Sequence, residues 1–75
     1  MNDIKIKILD KLNFGLNVTY KTSGIERSLF NSIVKELAED GYVKFTPETN
    51  EMFKDDVNNV RITSKGKEFI ENYKK

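Results

Sequence analysis

Residues 26–42 read ERSLFNSIVKELAEDGY. Leu29, Ile33 and Leu37 recur at every fourth position, and Phe30 and Val34 fill the places beside them. The result is an apolar stripe wider than a coiled-coil seam, the width a helix uses to pack on a globular core. Arg27, Ser28, Asn31, Ser32, Lys35 and Glu39 are expected on the opposite, polar side. Gly41 stands where a helix end favours a left-handed residue, and Tyr42 behind it is placed to close over Leu37.

Towards the N-terminus, Ile4, Ile6 and Ile8 alternate as a strand would, but Ile4, Ile8, Leu9 and Leu12 follow helical spacing over a longer window. The longer pattern predicts a helix over Asp3–Asn13, capped by Asn2 or Asp3 and stopped at Phe14-Gly15. Residues 16–25 are short and mixed. Val18 and Tyr20 are compatible with a small strand followed by a turn at Thr22-Ser23-Gly24. The segment has room for one helical turn but not for a full helix.

Beyond Gly41, Val43 and Phe45 alternate with Tyr42 and Lys44, predicting a strand that ends at Pro47. Residues 48–59 are polar and turn-rich, with Met52, Phe53 and Val57 their apolar members. A second strand, Val60-Arg61-Ile62, is expected to pair with the first across this long loop. Thr63 or Ser64 then caps a closing helix to about Tyr73, in which Phe69, Ile70 and Tyr73 share a face. Gly66 in its first turn permits close approach to a neighbour.

The 75 residues suit a single domain, of a size that buries only about 60% of its unfolded surface. With 13 basic and 12 acidic side chains the net charge is +1, so any attraction to nucleic acid must be local. Cysteine, histidine and tryptophan are absent. Neither a disulfide nor a thiolate metal site is therefore available, and the commonest acid–base and nucleophilic side chains are missing. The carboxylates Glu48, Glu51, Asp55 and Asp56 lack the spacing of a calcium loop. The chain is expected to be no enzyme and to carry no cofactor or metal. No run is long and apolar enough for a membrane span, and the N-terminus is unlike a signal peptide, which points to a cytoplasmic protein. The abundance of Lys, Asn and Ile hints at an AT-rich bacterial or phage genome.

Three pieces, taken in order, resemble the winged helix-turn-helix family. Residues 29–42 look like its recognition helix with the Leu-x-x-x-Gly-aromatic stop. Val43, Lys44 and Phe45 look like its first hairpin strand, and Arg61-Ile62-Thr63-Ser64-Lys65-Gly66-Lys67-Glu68-Phe69-Ile70 resembles its Ile/Leu-Thr-x-x-Gly closing segment. The shortened piece ahead of Gly24-Ile25 is most similar to small, prophage-type YjcQ-like proteins. The resemblance implies an α+β fold of three helices with a small antiparallel β-hairpin wing. It also implies double-stranded DNA as partner, with a helix over residues 26–40 in the major groove.

The residues suit that expectation in type. Arg27, Ser28, Asn31, Ser32 and Lys35 would face base edges, where Arg pairs with guanine and Asn with adenine. Tyr20, Lys21, Thr22 and Ser23 would add backbone contacts ahead of the helix, as would Arg61 from the hairpin. A transcriptional regulator, possible as a homodimer, is the function this implies. Against it stand Glu26, Glu36, Glu39 and Asp40 on the same helix and the acids of the hairpin loop, since carboxylates repel phosphate. An adaptor or inhibitor that binds a host or phage protein through Met52, Phe53 and Val57 is the alternative.

Overall fold

The computed structural model of the chain describes residues 3–47 and 57–74. They form α1 (Asp3–Asn13), α2 (Tyr20–Ser23), α3 (Arg27–Glu39), β1 (Val43–Pro47), β2 (Val57–Ile62) and α4 (Ser64–Tyr73). Four helices and one antiparallel two-stranded hairpin thus make a small α+β domain.

The Ile alternation at the start of the chain yields to the helical period because helix places Ile8, Leu9 and Leu12 together in the core. Gly15, at φ +83°, ends this helix in the left-handed region as expected.

The next segment takes the single helical turn that its length allows rather than the small strand. Val18 is buried, but Tyr20 opens α2, so the described residues hold four helices rather than three. A reciprocal cap explains the choice. The Thr19 hydroxyl accepts from the Thr22 N–H at 3.2 Å, while the Thr22 hydroxyl accepts from the Thr19 N–H at 2.9 Å. This is a capping box with Thr in the place usually held by Glu or Gln. Gly24, at φ +69°, closes the turn.

At the other end of α3, the Tyr42 N–H donates to the Leu37 carbonyl at 2.9 Å and the Gly41 N–H to that of Ala38 at 3.0 Å. With Gly41 left-handed, this is the Schellman arrangement that its sequence announced.

The helix is nevertheless rotated from the expected setting. Its buried residues are Phe30, Asn31, Ile33, Val34 and Leu37, whereas Leu29 is 45% exposed. The hairpin packs against α3, and the buried arc of the helix takes in Asn31 rather than Leu29. Asn31, expected on the outward face, is 8% exposed.

In the hairpin Val43 pairs with Ile62, Lys44 with Arg61, Thr46 with Asn58 and Pro47 with Val57. Between Lys44 and Thr46 the register shifts, so Phe45 alone opposes both Asn59 and Val60. Asn59 has φ +52°, which makes this a bulge of the left-handed kind, with Asn in the usual glycine place. The second strand begins at Val57 rather than Val60, because pairing resumes beyond the bulge.

One junction ties these elements together. The Thr63 hydroxyl accepts from the Gly66 N–H at 3.1 Å and donates to the Gly41 carbonyl at 2.6 Å. The Thr63 N–H donates to the Tyr42 carbonyl at 3.0 Å, and Lys65 Nζ to that of Asp40 at 2.7 Å. The expected cap of α4 is therefore also a clasp between α3 and the hairpin root. Ile70 is fully buried and Phe69 lies 4.8 Å from Tyr42 between ring centroids, but Tyr73 remains 54% exposed.

The core gathers Ile8, Leu9, Leu12, Val18, Phe30, Ile33, Val34, Leu37, Val43, Val60 and Ile70. Among the described residues no helix is long and apolar enough to cross a membrane.

Candidate nucleic-acid interface

Rotation of α3 divides the expected contact residues between two surfaces. Ser28, Ser32 and half-buried Lys35 remain on the outward side, together with Leu29, Glu36 and Glu39. This face is neither uniformly basic nor wholly available. Ser28 Oγ donates to Glu26 Oε1 at 3.0 Å, and Glu36 is paired with Lys5 at 2.8 Å. The Lys5 side chain is 18% exposed, and its hydrogen bond to Glu36 raises its pKa above the usual 10.5.

Arg27 and Asn31 instead line a groove of about 270 Å³ between the α2–α3 turn and β2. Tyr20 stands on its wall, with the Arg27 guanidinium 5.6 Å and Lys21 Nζ 6.0 Å from the ring centroid. Both distances are within the range of cation–π attraction. Phe30 and Asn31 come from α3, and Val57, Asn58, Asn59 and Val60 supply the opposite wall. The groove continues as a space of about 330 Å³ past Asn17, Thr19 and Arg61. No carboxylate occurs among the described residues that line either part.

Two of the expected backbone contacts, Thr22 and Ser23, stand in α2. The Thr22 hydroxyl serves the capping box, and Ser23 Oγ is buried without a hydrogen-bond partner. Arg61 is exposed on β2 opposite Lys44, in keeping with its expected place on the hairpin.

Of the alternative protein-binding set, Val57 is half-buried at the head of β2, while Met52 and Phe53 lie outside the described residues. So do the acids of residues 48–56. Among the described residues, the most exposed large apolar side chains are Phe14 and Leu16, at 71% and 56%. No group of His, Cys, Asp or Glu among the described residues is placed to hold a metal ion.

Asn17, Thr19, Asn58 and Asn59 escaped the sequence reading. The Asn58-Asn59 pair carries the only signal, since adjacent asparagines mark a left-handed or turning backbone. It was legible as loop, not as bulge. Compared with family models, curated proteins and solved structures, the chain matches none.

Proposed function

We propose that this chain is a small DNA-binding protein of winged-helix type, a transcriptional regulator of bacterial or phage origin. In this reading it docks on duplex DNA through the α2–α3 turn and the N-terminal half of α3, with β2 alongside. The observation that carries the reading is the pair of cations on Tyr20. Lys21 and Arg27 approach one ring from successive helices, beside a groove without a carboxylate among its described lining residues. In a chain of net charge +1, attraction to DNA has to come from a local group of cations such as this pair. The order of helices and hairpin agrees with the resemblance, and so does the helix-stop at Gly41-Tyr42.

The contact set differs from the outward-face expectation. Lys21, Arg27 and Arg61 bind phosphates, Ser32 and Lys35 flank the groove of the duplex, and Asn31 is withdrawn. Each phosphate contact contributes a slope of roughly −0.9 in log affinity against log salt, or about −2.7 for three cations. Fluorescence anisotropy with a short duplex, titrated at several salt concentrations, tests this. Arg27→Ala should weaken binding and flatten the slope by about 0.9. Unchanged affinity and slope in both Arg27→Ala and Lys21→Ala would remove this surface from consideration.

A second reading, a protein-interaction module, is favoured by exposed Phe14 and Leu16 on either side of left-handed Gly15. Apolar side chains presented together on a turn suit a partner surface. Under this reading Phe14→Glu would abolish capture of a partner and leave duplex affinity untouched.

A further inference from the structure

Phe14 and Leu16 stand in solvent on a turn whose shape is set by backbone bonds rather than by their own packing. The Gly15 N–H donates to the Leu12 carbonyl at 3.0 Å and the Leu16 N–H to that of Lys11 at 3.1 Å. Phe14 is also steadied from one side, with Lys74 Nζ 5.2 Å from its ring centroid and 2.8 Å from Asp10 Oδ1. Covering such side chains is favourable, and holding them in place beforehand lowers the entropy lost when a partner arrives.

Between this turn, β2 and α4 lies a hollow of about 240 Å³. Its apolar lining includes Leu12, Leu16 and Ile62, and its cations are Arg61 and Lys67. No carboxylate lines it among the described residues. Arg61 and Lys67 are exposed, and neither forms an ion pair or a side-chain hydrogen bond with another described residue. Lys74 is already engaged by Asp10 and the Phe14 ring, so it is not counted as available. Glu71, a turn beyond Lys67 on α4, is outside the lining.

The pairing of charge with apolar surface selects the occupant. A phosphate chain would satisfy the cations but leave Phe14 and Leu16 wet. A wholly apolar segment would cover those two but shield Arg61 and Lys67 from water without an anion. A segment with an apolar side chain next to a carboxylate meets both demands. We infer that this hollow docks a short acidic segment of another protein, its apolar side chain against Leu16 and Phe14 and its carboxylate towards Arg61 and Lys67. The inference rests on the protein-interaction reading above and adds the chemistry of the partner. Arg61 also belongs to the proposed duplex contacts whereas Lys67 does not, so Lys67 is the discriminating position.

A phage-displayed library of random short peptides, panned on the whole chain, provides the probes. The recovered peptides should carry Asp or Glu beside Leu, Ile or Phe, and their binding should weaken as salt rises. By anisotropy, Leu16→Ser should weaken them about tenfold, the loss expected for one apolar side chain. Lys67→Glu should weaken them at least about fivefold while leaving affinity for a blunt duplex unchanged. Both side chains are exposed, so neither change opens the core. Amide NMR shifts of Leu16, Ile62 and Lys67 in wild-type protein give a readout that needs no variant. Peptides without acids, or acidic peptides indifferent to Lys67→Glu, would overturn the acidic partner and leave the protein-interaction reading standing if Leu16→Ser still weakens them. Recovery of no specific peptide would overturn both. Shifts at Leu16 and Lys67 with the blunt duplex in place of peptides would give the hollow to phosphate. Sedimentation that changes with protein concentration in wild type but not in Leu16→Ser would give it to a second copy, and either result would overturn the inference.

Discussion

Gly66 rests directly against the carbonyl of Tyr42, leaving no space for a methyl group between the first turn of α4 and the root of the hairpin. A Cβ at this position would also stand 2.8 Å from Ile62 Cγ1. The obstructing atom at Tyr42 is backbone, and the same carbonyl accepts from Thr63, so it cannot yield without breaking the clasp. Gly66→Ala is expected to cost about 1–3 kcal/mol, the range of overpacked sites. In a domain of this size each kilocalorie lowers the melting temperature by roughly 4–8 °C. Gly24 is the control. It has open space around it but a φ of +69°, so Gly24→Ala should cost only about 1 kcal/mol through backbone strain. Thermal melts followed by circular dichroism would decide, and a Gly66→Ala melt no lower than that of Gly24→Ala would refute the steric account.

Asn59 tests the bulge by itself. Its positive φ is tolerated by Asn and natural for Gly, but is opposed by a β-branched side chain. Asn59→Gly should therefore leave the urea midpoint unchanged or slightly raised, while Asn59→Val should lose about 1–2 kcal/mol. Equal behaviour of the two variants would mean that the strand can discard the bulge without penalty.

Glu26 holds the N-cap position of α3 but makes no capping hydrogen bond with its side chain. Serine there would cap the helix, and Glu26→Ser is expected to add about 0.5–1 kcal/mol of stability. Loss of the favourable carboxylate–dipole interaction offsets part of the gain, which keeps the estimate at the low end. The same change removes a negative charge next to Arg27, so duplex affinity should rise in parallel. A more stable variant with weaker duplex binding would contradict the proposed docking surface.

The ion pair of Lys5 with Glu36 implies a dependence on alkaline pH. Hydrogen bonding to Glu36 raises the Lys5 pKa above 10.5, so folding favours the protonated amine. The stability this supplies is complete below 10.5 and disappears as the pH climbs through the higher folded value. Urea midpoints of wild type and Lys5→Met should therefore differ most at neutral pH and converge above the folded-state pKa. A gap that persists at strongly alkaline pH would assign the stabilisation to packing of the lysine stem instead.

The elements legible in the sequence are those whose period is long or whose ends carry a chemical marker. The Asp3–Asn13 helix had a sustained period, and the end of α3 had Gly41-Tyr42. Four residues, by contrast, are too short for any period, so α2 depended on a Thr–Thr box that resembles ordinary loop composition. The rotation of α3 was hidden for a different reason. Leu29 has the better claim to burial on hydrophobicity, yet Asn31 is the buried one, close to the hairpin residues Val57 and Val60 that are distant in sequence. The groove shares that origin, since its walls come from residues as far apart as Asn17 and Arg61. Residue types suited to nucleic acid were visible in advance, but whether they stood on a ridge or in a hollow depended on tertiary packing.

Thr63 grips the end of one helix, both strands at their base and the start of another helix through a single side chain and its amide. These parts cannot fray one at a time. Solvent reaches the amides of Tyr42, Thr63 and Gly66 only when the whole knot opens, so deuterium should enter all three in step, at the pace of cooperative unfolding.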